Sequence, residues 1–535
     1  MRKNRTALIF GLFFLLGIAS RVIFAVKDFT HLDEVLYAIG SVDFSVKNAT
    51  PPSPGYFLYI MSARFLNIFT NNPHTSLMAL SIIYSGAIAG LIYYFAKLLK
   101  SEAVGIIAAL LFLTSPLFWY KGVTIFGYLN SGFFILLTAL LGWRIVAEKK
   151  TGLLFWFSLS FAILTGVRPQ EFPIMFPLYI FVLAHLNIRE AIRSIFIFGL
   201  TCCAWLIPLL VMSGGLREYI SVLKDASGYV AYDSIFGGSF TAKLNNHLVR
   251  MERYFIWAYF LGVMPFIYYI GKFFYIPNLV NEKKAQFFAV WLFPALIYNV
   301  FIQFGEIGHG MSWGLGFLII IAEAVTVICD DVLGALSALS RKGIRISNAI
   351  IQSPYVRKIT SALVVGPIII FNCFIFFHDF DKDKHDFYDF RKYRQFNYND
   401  VLKKSRFLKS KVDFIKKNFN QKNIAVLVTG TFGHQVMYRL EEALIIQAGV
   451  IMREDHTSFS TWQKLKPRYY ENANEFVIPE GIQYLVLFDD IFVPYFKNTQ
   501  DNNCYRIDDT HKLFVHKVSP GERLNFAYQA ITINY

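Results

Sequence analysis

Apolar segments long enough to cross a lipid bilayer recur along most of this chain. A bilayer core of about 30 Å requires about 20 mostly apolar residues in a helix. About eleven spans are predicted, at residues 6–26, 76–96, 103–119, 123–146, 153–167, 171–186, 193–212, 255–274, 286–303, 313–329 and 359–377. A further stretch, residues 56–69, is too short to span, and we expect it to lie at the interface or to extend the next helix. The sequence therefore predicts a mainly α, polytopic transmembrane helical bundle.

The composition agrees with this prediction. Of 535 residues, 55% are hydrophobic and only 17% are charged, against about 25% charged residues in typical soluble domains. A net charge of +15 would favour a nucleic-acid partner for a soluble protein. In a membrane protein it is more typical of Lys and Arg anchors and of attraction to anionic membrane lipids, so we expect no nucleic acid. The five cysteines show neither a disulfide framework nor zinc spacing.

Positive charges in the short loops predict the orientation. The first apolar segment follows a basic start and is interpreted as a retained signal anchor rather than a cleaved signal peptide. With a cytoplasmic N-terminus, alternate loops such as those holding Lys97, Lys100, Lys149 and Lys150 fall on the cytoplasmic side, in agreement with the positive-inside rule. We therefore expect a multi-pass protein of the cell (plasma or inner) membrane whose C-terminal part is extracytoplasmic.

The last third of the chain has a different pattern. We predict a transmembrane module at residues 1–378 and a small extracytoplasmic α/β domain at residues 379–535. The apolar runs Ile424–Val428 and Tyr484–Phe488 predict buried strands, and a helical pattern covers Gln435–Gln447. The segment Thr429–Gly433 faintly resembles a phosphate-binding turn, but it lacks the full dinucleotide fingerprint and is better interpreted as a strand-to-helix turn that needs glycine.

The first candidate for chemistry is the sequence His31-Leu-Asp-Glu34, directly after the first span. Asp33 and Glu34 are adjacent carboxylates, and losing water so near the hydrocarbon is energetically costly for them. A partner, a metal or a reacting proton can offset this cost. Partial burial raises the basicity of a carboxylate, which suits this pair to take a proton from a hydroxyl group. The alternative is a solvated loop that starts a helix.

A second candidate is the predicted helical hairpin that turns at Thr165-Gly-Val-Arg-Pro-Gln-Glu171. Its polar residues are Arg168, Gln170 and Glu171. The Arg168 guanidinium could bind a phosphate through two hydrogen bonds. The alternative is ordinary snorkelling of the arginine to the lipid headgroups.

A third candidate is the glycine-rich outer turn Gly305-Glu-Ile-Gly-His-Gly310. Glu306 and His309 form a titratable pair there. His309 could bind phosphate or a metal, or it could form a hydrogen bond within the turn, and both interpretations stay open.

Together these residues resemble a known family. A signal-anchor helix, an outer loop with Asp33 and Glu34 followed by the Pro51-Pro52 pair, a hairpin turning at Gly-x-Arg-Pro and an extracytoplasmic C-terminal domain are similar to the GT-C membrane glycosyltransferases. The nearest in pattern are the protein O-mannosyltransferases and the lipid A aminoarabinose transferases. The resemblance covers roughly residues 1–330. Many relatives have histidine just before the proline pair, where this chain has Thr50.

The resemblance implies an activity and roles for several residues. It implies that residues 1–378 are a catalytic module that transfers a sugar from a polyprenyl-phosphate-linked donor to a lipid, glycan or protein acceptor. Asp33 would be the catalytic carboxylate with Glu34 as its neighbour, and Arg168, with His309, would bind the donor phosphate. His31, Gln170, Glu171 and Glu306 are further site candidates. A divalent cation is left open, because the acidic pair alone is too little to assign a metal.

Two other classes of function compete with this interpretation. A polytopic transporter or flippase for a lipid-linked or polar solute would need polar groups at mid-depth, for which Glu323 is the main candidate. A non-catalytic membrane scaffold would not require the acidic pair Asp33 and Glu34. The clustering of polar residues on the predicted outer face favours the glycosyltransferase.

Overall fold

The chain divides into two compact units in its computed structural model. The described residues are 2–276, 279–341, 353–378, 397–429, 432–448, 459–470, 475–493, 502–508, 511–519, 521–527 and 530–534. The membrane unit comprises Met1–Val26, Ser45–Lys47 and Ser53–Asp400, and the sheet unit comprises Lys27–Phe44, Asn48–Pro52 and Val401–Tyr535. The domain boundary predicted at 378/379 adjoins residues 379–396, which lie outside the described residues, and it stays a prediction.

Helices account for most of the described chain. They are α1 Arg2–Val22, α2 Leu32–Val42, α3 Phe57–Thr70, α4 Pro73–Leu99, α5 Glu102–Thr114, α6 Pro116–Val123, α7 Tyr128–Glu148, α8 Leu154–Val167, α9 Glu171–Leu183, α10 Ile188–Met212, α11 Leu216–Asp233, α12 Phe240–Ala258, α13 Val263–Tyr275, α14 Glu282–Phe301, α15 Met311–Arg341, α16 Pro354–Phe377, α17 Tyr398–Asn418 and α18 Gly433–Arg439. The predicted helical bundle is confirmed.

The number of membrane spans depends on how bent helices are counted. Among the described residues, seven helices are long and apolar enough to cross a membrane, or nine if each of two bent pairs is one span. The bent pairs are α5 with α6, at 60°, and α12 with α13, at 100°. Two other predicted spans, 153–167 and 171–186, correspond to the shorter apolar helices α8 and α9. The predicted short segment 56–69 corresponds to α3.

Proline and glycine explain two local features of the bundle. Pro116 is the first residue of α6, and a proline disfavours helical geometry at the residue before it, so the predicted span 103–119 breaks at Ser115. Glycines bring α1 and α4 together, because a Cβ atom at Gly17 would lie 2.7 Å from the Cα atom of Gly86. Close approach of this kind supplies the packing that holds helices together in lipid.

Glu323, which the transporter alternative singled out, has cationic partners. Its side chain is 4% exposed, and its carboxylate accepts a hydrogen bond from Lys284 Nζ. Lys100 Nζ lies 3.6 Å from the other carboxylate oxygen. Since a buried charge is stable only when it is paired, this arrangement favours a contact between packed helices.

The C-terminal residues form the predicted α/β domain. Its strands are β1 Ile424–Thr429, β2 Leu444–Ala448, β3 Phe459–Gln463, β4 Lys466–Tyr470, β5 Glu475–Val477, β6 Tyr484–Leu487, β7 Asn502–Arg506, β8 Lys512–Lys517, β9 Arg523–Ala527 and β10 Ala530–Asn534. One sheet has the order β4-β3-β2-β1-β6-β8-β7, and a second has the order β10-β9-β5. β1 pairs in parallel with β2 and β6, and the buried residues Leu427, Ile446 and Leu487 form part of the core between them.

The helix predicted at Gln435–Gln447 is only half right. α18 ends at Arg439, and Leu444–Ala448 is the strand β2. The apolar run Leu444-Ile-Ile is compatible with a helix or a strand. It forms a strand because it pairs with β1. The suggested phosphate-binding turn includes residues 430 and 431, which lie outside the described residues.

Candidate active site

The acidic pair lies at the start of α2, in the sheet unit. His31 is the N-cap residue, and its Nδ1 accepts a hydrogen bond from the backbone N–H of Asp33 at 3.2 Å. Glu34 completes a capping box, because its carboxylate accepts from the backbone N–H of His31 at 3.3 Å and from the Thr30 hydroxyl at 2.8 Å. Such caps satisfy backbone groups that the helix itself leaves without partners. The local fold therefore uses Glu34 as a capping group.

Asp33 has a different environment from its neighbour. Its side chain is 35% exposed, whereas Glu34 is fully buried. One Asp33 carboxylate oxygen lies 3.9 Å from His31 Nδ1. The partial positive charge at a helix N-terminus interacts favourably with an acidic side chain in the first turn. Of the two predicted carboxylates, Asp33 is the one that is exposed to solvent.

The proline segment packs against the other end of α2. The Thr50–Pro51 and Ser53–Pro54 peptide bonds are cis. A Cβ atom at Gly40 would lie 2.7 Å from the Pro51 nitrogen, so the close approach requires glycine. Thr50 is buried.

The membrane unit contains a separate cluster of charges, centred on Tyr128. The Tyr128 ring centroid lies 4.3 Å from the Arg168 guanidinium carbon, 4.8 Å from Lys121 Nζ and 6.0 Å from the His309 ring centroid. An electron-rich aromatic face attracts cations. The ring therefore brings together two cations and a histidine from three separate segments of the chain.

Lys121 and Glu306 form an ion pair in this cluster. The Lys121 side chain is fully buried, and its Nζ donates to Glu306 Oε1 at 2.6 Å. Burial raises the pKa of Glu306, but the charge of Lys121 outweighs this effect and lowers the pKa to about 2. Glu306 also accepts a hydrogen bond from the Gly308 backbone N–H at 2.8 Å. Glu306 is therefore ionised at neutral pH and holds the glycine-rich turn against α6.

Sequence reasoning missed Lys121 as a site residue. The lysine was placed in a short outer turn, whereas the structure places it within α6. A usable signal was present, because a single charge within an otherwise apolar segment needs a partner and often marks a functional site.

Arg168 and Glu171 form the second ion pair of the cluster. Arg168 Nη1 lies 3.5 Å from Glu171 Oε1, and the two side chains are 5% and 1% exposed. Glu171 also accepts a hydrogen bond from the Ser312 hydroxyl at 2.7 Å. A buried arginine held in this way is not an arginine that snorkels to headgroups.

The remaining candidates surround this pair. Gln170 Nε2 donates to the Tyr56 hydroxyl at 2.9 Å. His309 lies in the turn before α15, where its backbone N–H donates to the Glu306 carbonyl at 2.9 Å. The structure thus brings Arg168, Glu171, Glu306 and His309 together in the membrane unit.

A further ion pair borders the glycine-rich turn. Arg250 Nη1 lies 3.3 Å from Asp233 and donates to the Phe304 carbonyl at 2.8 Å. His247 Nε2 lies 3.6 Å from the same aspartate. These contacts tie α11 and α12 to the segment that carries Glu306.

The described side chains include no metal-binding cluster. Within the ranges given above, no group of three or more His, Cys, Asp or Glu residues could hold a metal ion. Mg²⁺ differs from most other metals in this respect, because one or two carboxylates together with water and substrate phosphates usually hold it.

The Lys121–Glu306 pair provides a stability prediction. Replacing Lys121 by Met leaves the Glu306 carboxylate, which is 27% exposed, without its cation, and we expect unfolding to become easier by about 1 to 3 kcal/mol. The double variant Lys121→Met/Glu306→Gln should recover part of this loss. Thermal unfolding of the detergent-purified protein measures both effects.

The matched control is Lys150, which pairs with Glu148 at 2.6 Å but is half exposed. An exposed pair contributes about 1 kcal/mol or less, so Lys150→Met should have little effect. Equal stability of the Lys121→Met and Lys150→Met variants would contradict the importance of the Lys121–Glu306 pair.

Comparison with known proteins gives a match in structure only. No protein-family model matches the sequence, and no curated protein matches it. ArnT from Cupriavidus metallidurans bound to undecaprenyl phosphate matches with a TM-score of 0.56 and 9% identity, covering 99% of each chain. The same protein in the apo state matches with a TM-score of 0.49 and 10% identity, covering 96% of this chain and 98% of that one.

A third match is the archaeal oligosaccharyltransferase AglB from Archaeoglobus fulgidus, in complex with an inhibitory peptide and a dolichol-phosphate. Its TM-score is 0.46 at 12% identity, covering 82% of this chain and 64% of that one. Because two of the three scores lie below 0.5, the shared fold rests on the undecaprenyl-phosphate complex of ArnT. That match extends along nearly the whole chain, so it includes both the helical bundle and the C-terminal sheet. The expectation drawn from the resemblance is confirmed at the level of the fold: this chain shares the fold of ArnT.

Proposed function

We propose that this protein is a membrane glycosyltransferase that moves a sugar from a polyprenyl-phosphate-linked donor to an acceptor at the extracytoplasmic face. The observation that carries the proposal is the fold shared over 99% of both chains with ArnT, a protein whose structure contains undecaprenyl phosphate. A polyprenyl carrier explains why such an enzyme needs a bundle in the membrane. Its tail stays in the bilayer while its sugar phosphate reaches polar residues at the bundle's end.

Arg168 is the proposed ligand of the donor phosphate. Its guanidinium is buried beside the Tyr128 ring and 3.5 Å from Glu171. A guanidinium can bind phosphate through two parallel hydrogen bonds, and these are strong where water is excluded. His309, whose ring lies near the same tyrosine, is proposed to assist. As the sugar leaves, these groups stabilise the charge that develops on the phosphate.

Asp33 is the proposed catalytic base. Its carboxylate takes the proton of the acceptor hydroxyl, whose oxygen then forms the new bond to the anomeric carbon. The bond between that carbon and the phosphate oxygen breaks, which releases polyprenyl phosphate and inverts the anomeric configuration. Glu34 is a weaker candidate for this role, because its carboxylate is already engaged by the helix cap.

The pairing of Glu323 weakens the transporter alternative. A transport path requires polar groups that a solute can reach near mid-depth. Glu323, however, is held by Lys284 and lies close to Lys100.

The role of Asp33 predicts a selective loss of turnover. Asp33→Asn keeps the size of the side chain and removes the basic carboxylate, so release of polyprenyl phosphate from polyprenyl-phosphate sugars should fall by about 10²-fold or more. Asp43→Asn is the matched control, because Asp43 is an exposed residue at the C-terminal cap of the same helix. Near-normal turnover by Asp33→Asn would rule out this mechanism.

The role of Arg168 predicts a change in ligand binding. Polyprenyl phosphate should raise the Tm of the purified protein more than a phospholipid of equal charge does, because a ligand stabilises the state that binds it. In Arg168→Ala this selective shift should disappear, as expected if affinity falls by about tenfold or more. Each shift is measured against the same variant without ligand.

Two further variants make the binding test specific. Arg168→Ala/Glu171→Gln removes both charges and should also lose the selective shift, which separates phosphate binding from the cost of an unpaired Glu171. Arg217→Ala, at an exposed arginine of α11, should keep it. If both Arg168 variants retain the selective Tm shift, Arg168 is not the phosphate ligand.

The proposed orientation puts the N-terminus in the cytoplasm and the C-terminal domain outside the cell membrane. Cys504 in β7 is an exposed native reporter of this arrangement, whereas Cys203, also exposed, lies in the apolar helix α10. A membrane-impermeant maleimide should label Cys504 in intact cells or spheroplasts, because thiolates react in water rather than in lipid. Cys504→Ser should abolish the labelling, and labelling only after permeabilisation would reverse the orientation.

A further inference from the structure

The loop that carries Asp33 belongs to the same compact unit as the C-terminal sheet. Residues Lys27–Phe44 cluster with Val401–Tyr535 rather than with the helix that precedes them in the chain. Within this unit, α2 contacts α18, and α18 also contacts β1 and β2. The short helix α18 therefore lies between the sheet and the loop.

An ion pair with a buried carboxylate ties the loop to α18. The Asp28 carboxylate, which is 7% exposed, pairs with the Arg439 guanidinium and accepts a hydrogen bond from the Ser405 hydroxyl of α17. Removing one partner of a buried, hydrogen-bonded pair is costly because the other charge is left without compensation. The carboxylate thus fixes the start of the loop to two helices of the C-terminal domain.

Contacts next to the ion pair extend this attachment. The Phe29 and Tyr438 rings meet edge to face with centroids 4.9 Å apart, a favourable geometry for aromatic pairs. Burial lowers the pKa of His434, four residues before Tyr438, to about 4, and the nearby His31 lowers it further, so the His434 imidazole is neutral at neutral pH and does not repel His31. Residues four apart share one face of a helix, and this face of α18 meets residues 29–31.

The attachment continues to the proposed base. Thr30 donates its hydroxyl to Glu34 at 2.8 Å, and His31 caps the helix turn that contains Asp33. Asp28, Phe29, Thr30 and His31 are therefore each held by a specific partner immediately before Asp33. Little freedom is left for the backbone that carries the carboxylate.

We propose that the C-terminal domain serves to position the Asp33 carboxylate, and that Arg439 is the positioning residue that does so through Asp28. The proposal rests on the proposed function of Asp33. An enzyme gains rate when its base is held in the reactive geometry, and a small misplacement from a distant change lowers the rate of the chemical step. Arg439 is expected to affect the rate of the reaction rather than the binding of the donor.

The test compares Arg439→Gln with wild type in the full-length, detergent-purified protein. Hydrogen–deuterium exchange of residues 28–42 should become faster, because the start of the loop loses its anchor. With a polyprenyl-phosphate sugar as donor, kcat should fall tenfold or more while KM changes less than twofold. The Tm shift caused by polyprenyl phosphate should stay as in wild type.

Two variants separate positioning from simple loss of structure. Arg523→Gln removes an arginine of the same domain whose pair with Glu475 is half exposed. This variant should change neither the hydrogen–deuterium exchange of residues 28–42 nor kcat. The double variant Asp28→Arg/Arg439→Asp swaps the two charges, and it should restore both the hydrogen–deuterium exchange rate and kcat toward their wild-type values. If Arg439→Gln unfolds the sheet unit, the double variant Asp28→Arg/Arg439→Asp is the test. Recovery of its protection against hydrogen–deuterium exchange and of its kcat supports the proposal, and no recovery contradicts it.

The exchange measurement also distinguishes the two proposals from each other. If wild type turns over no donor, the proposed function fails, but faster exchange of residues 28–42 in Arg439→Gln still supports the attachment. Unchanged exchange together with unchanged kcat in Arg439→Gln would overturn the positioning role while leaving the glycosyltransferase intact.

Discussion

The exclusion of water from the bilayer determines how this chain places its charges. A charge buried among apolar helices is stable only with a partner. Lys121 pairs with Glu306, and Arg168 pairs with Glu171. The residues suited to hold a phosphate are therefore already engaged with carboxylates. Under the proposed function, the donor phosphate competes with Glu171 for the guanidinium or joins it.

The same constraint explains why backbone irregularities of the bundle matter for the candidate site. Lys121 lies in the short helix that follows the break at Pro116, and Arg168 lies between the two shorter apolar helices α8 and α9. Helix ends are where side chains and backbone groups can meet polar partners inside a membrane protein. Shortened and broken helices thus supply the places in which charged residues cluster.

Local patterns predicted much of the architecture. Apolar length predicted the bundle, and the runs at 424–428 and 484–488 predicted buried strands that form β1 and β6. The motif containing Asp33 was found because two adjacent acids are unusual beside a span. The helix predicted through Gln447 was wrong in its second half, since an apolar run fits either structure until its neighbour in the sheet is known.

By itself the sequence determined the membrane class, most of the helices and the candidate residues Asp33 and Arg168, because these depend on short-range composition and spacing. Only the tertiary structure decided which of the charges are partners. Lys121 and Glu306 are 185 residues apart, and Ser405 and Asp28 are 377 apart. No local pattern records such pairs, because the interaction energy arises only when the fold brings both groups out of water and within hydrogen-bonding distance.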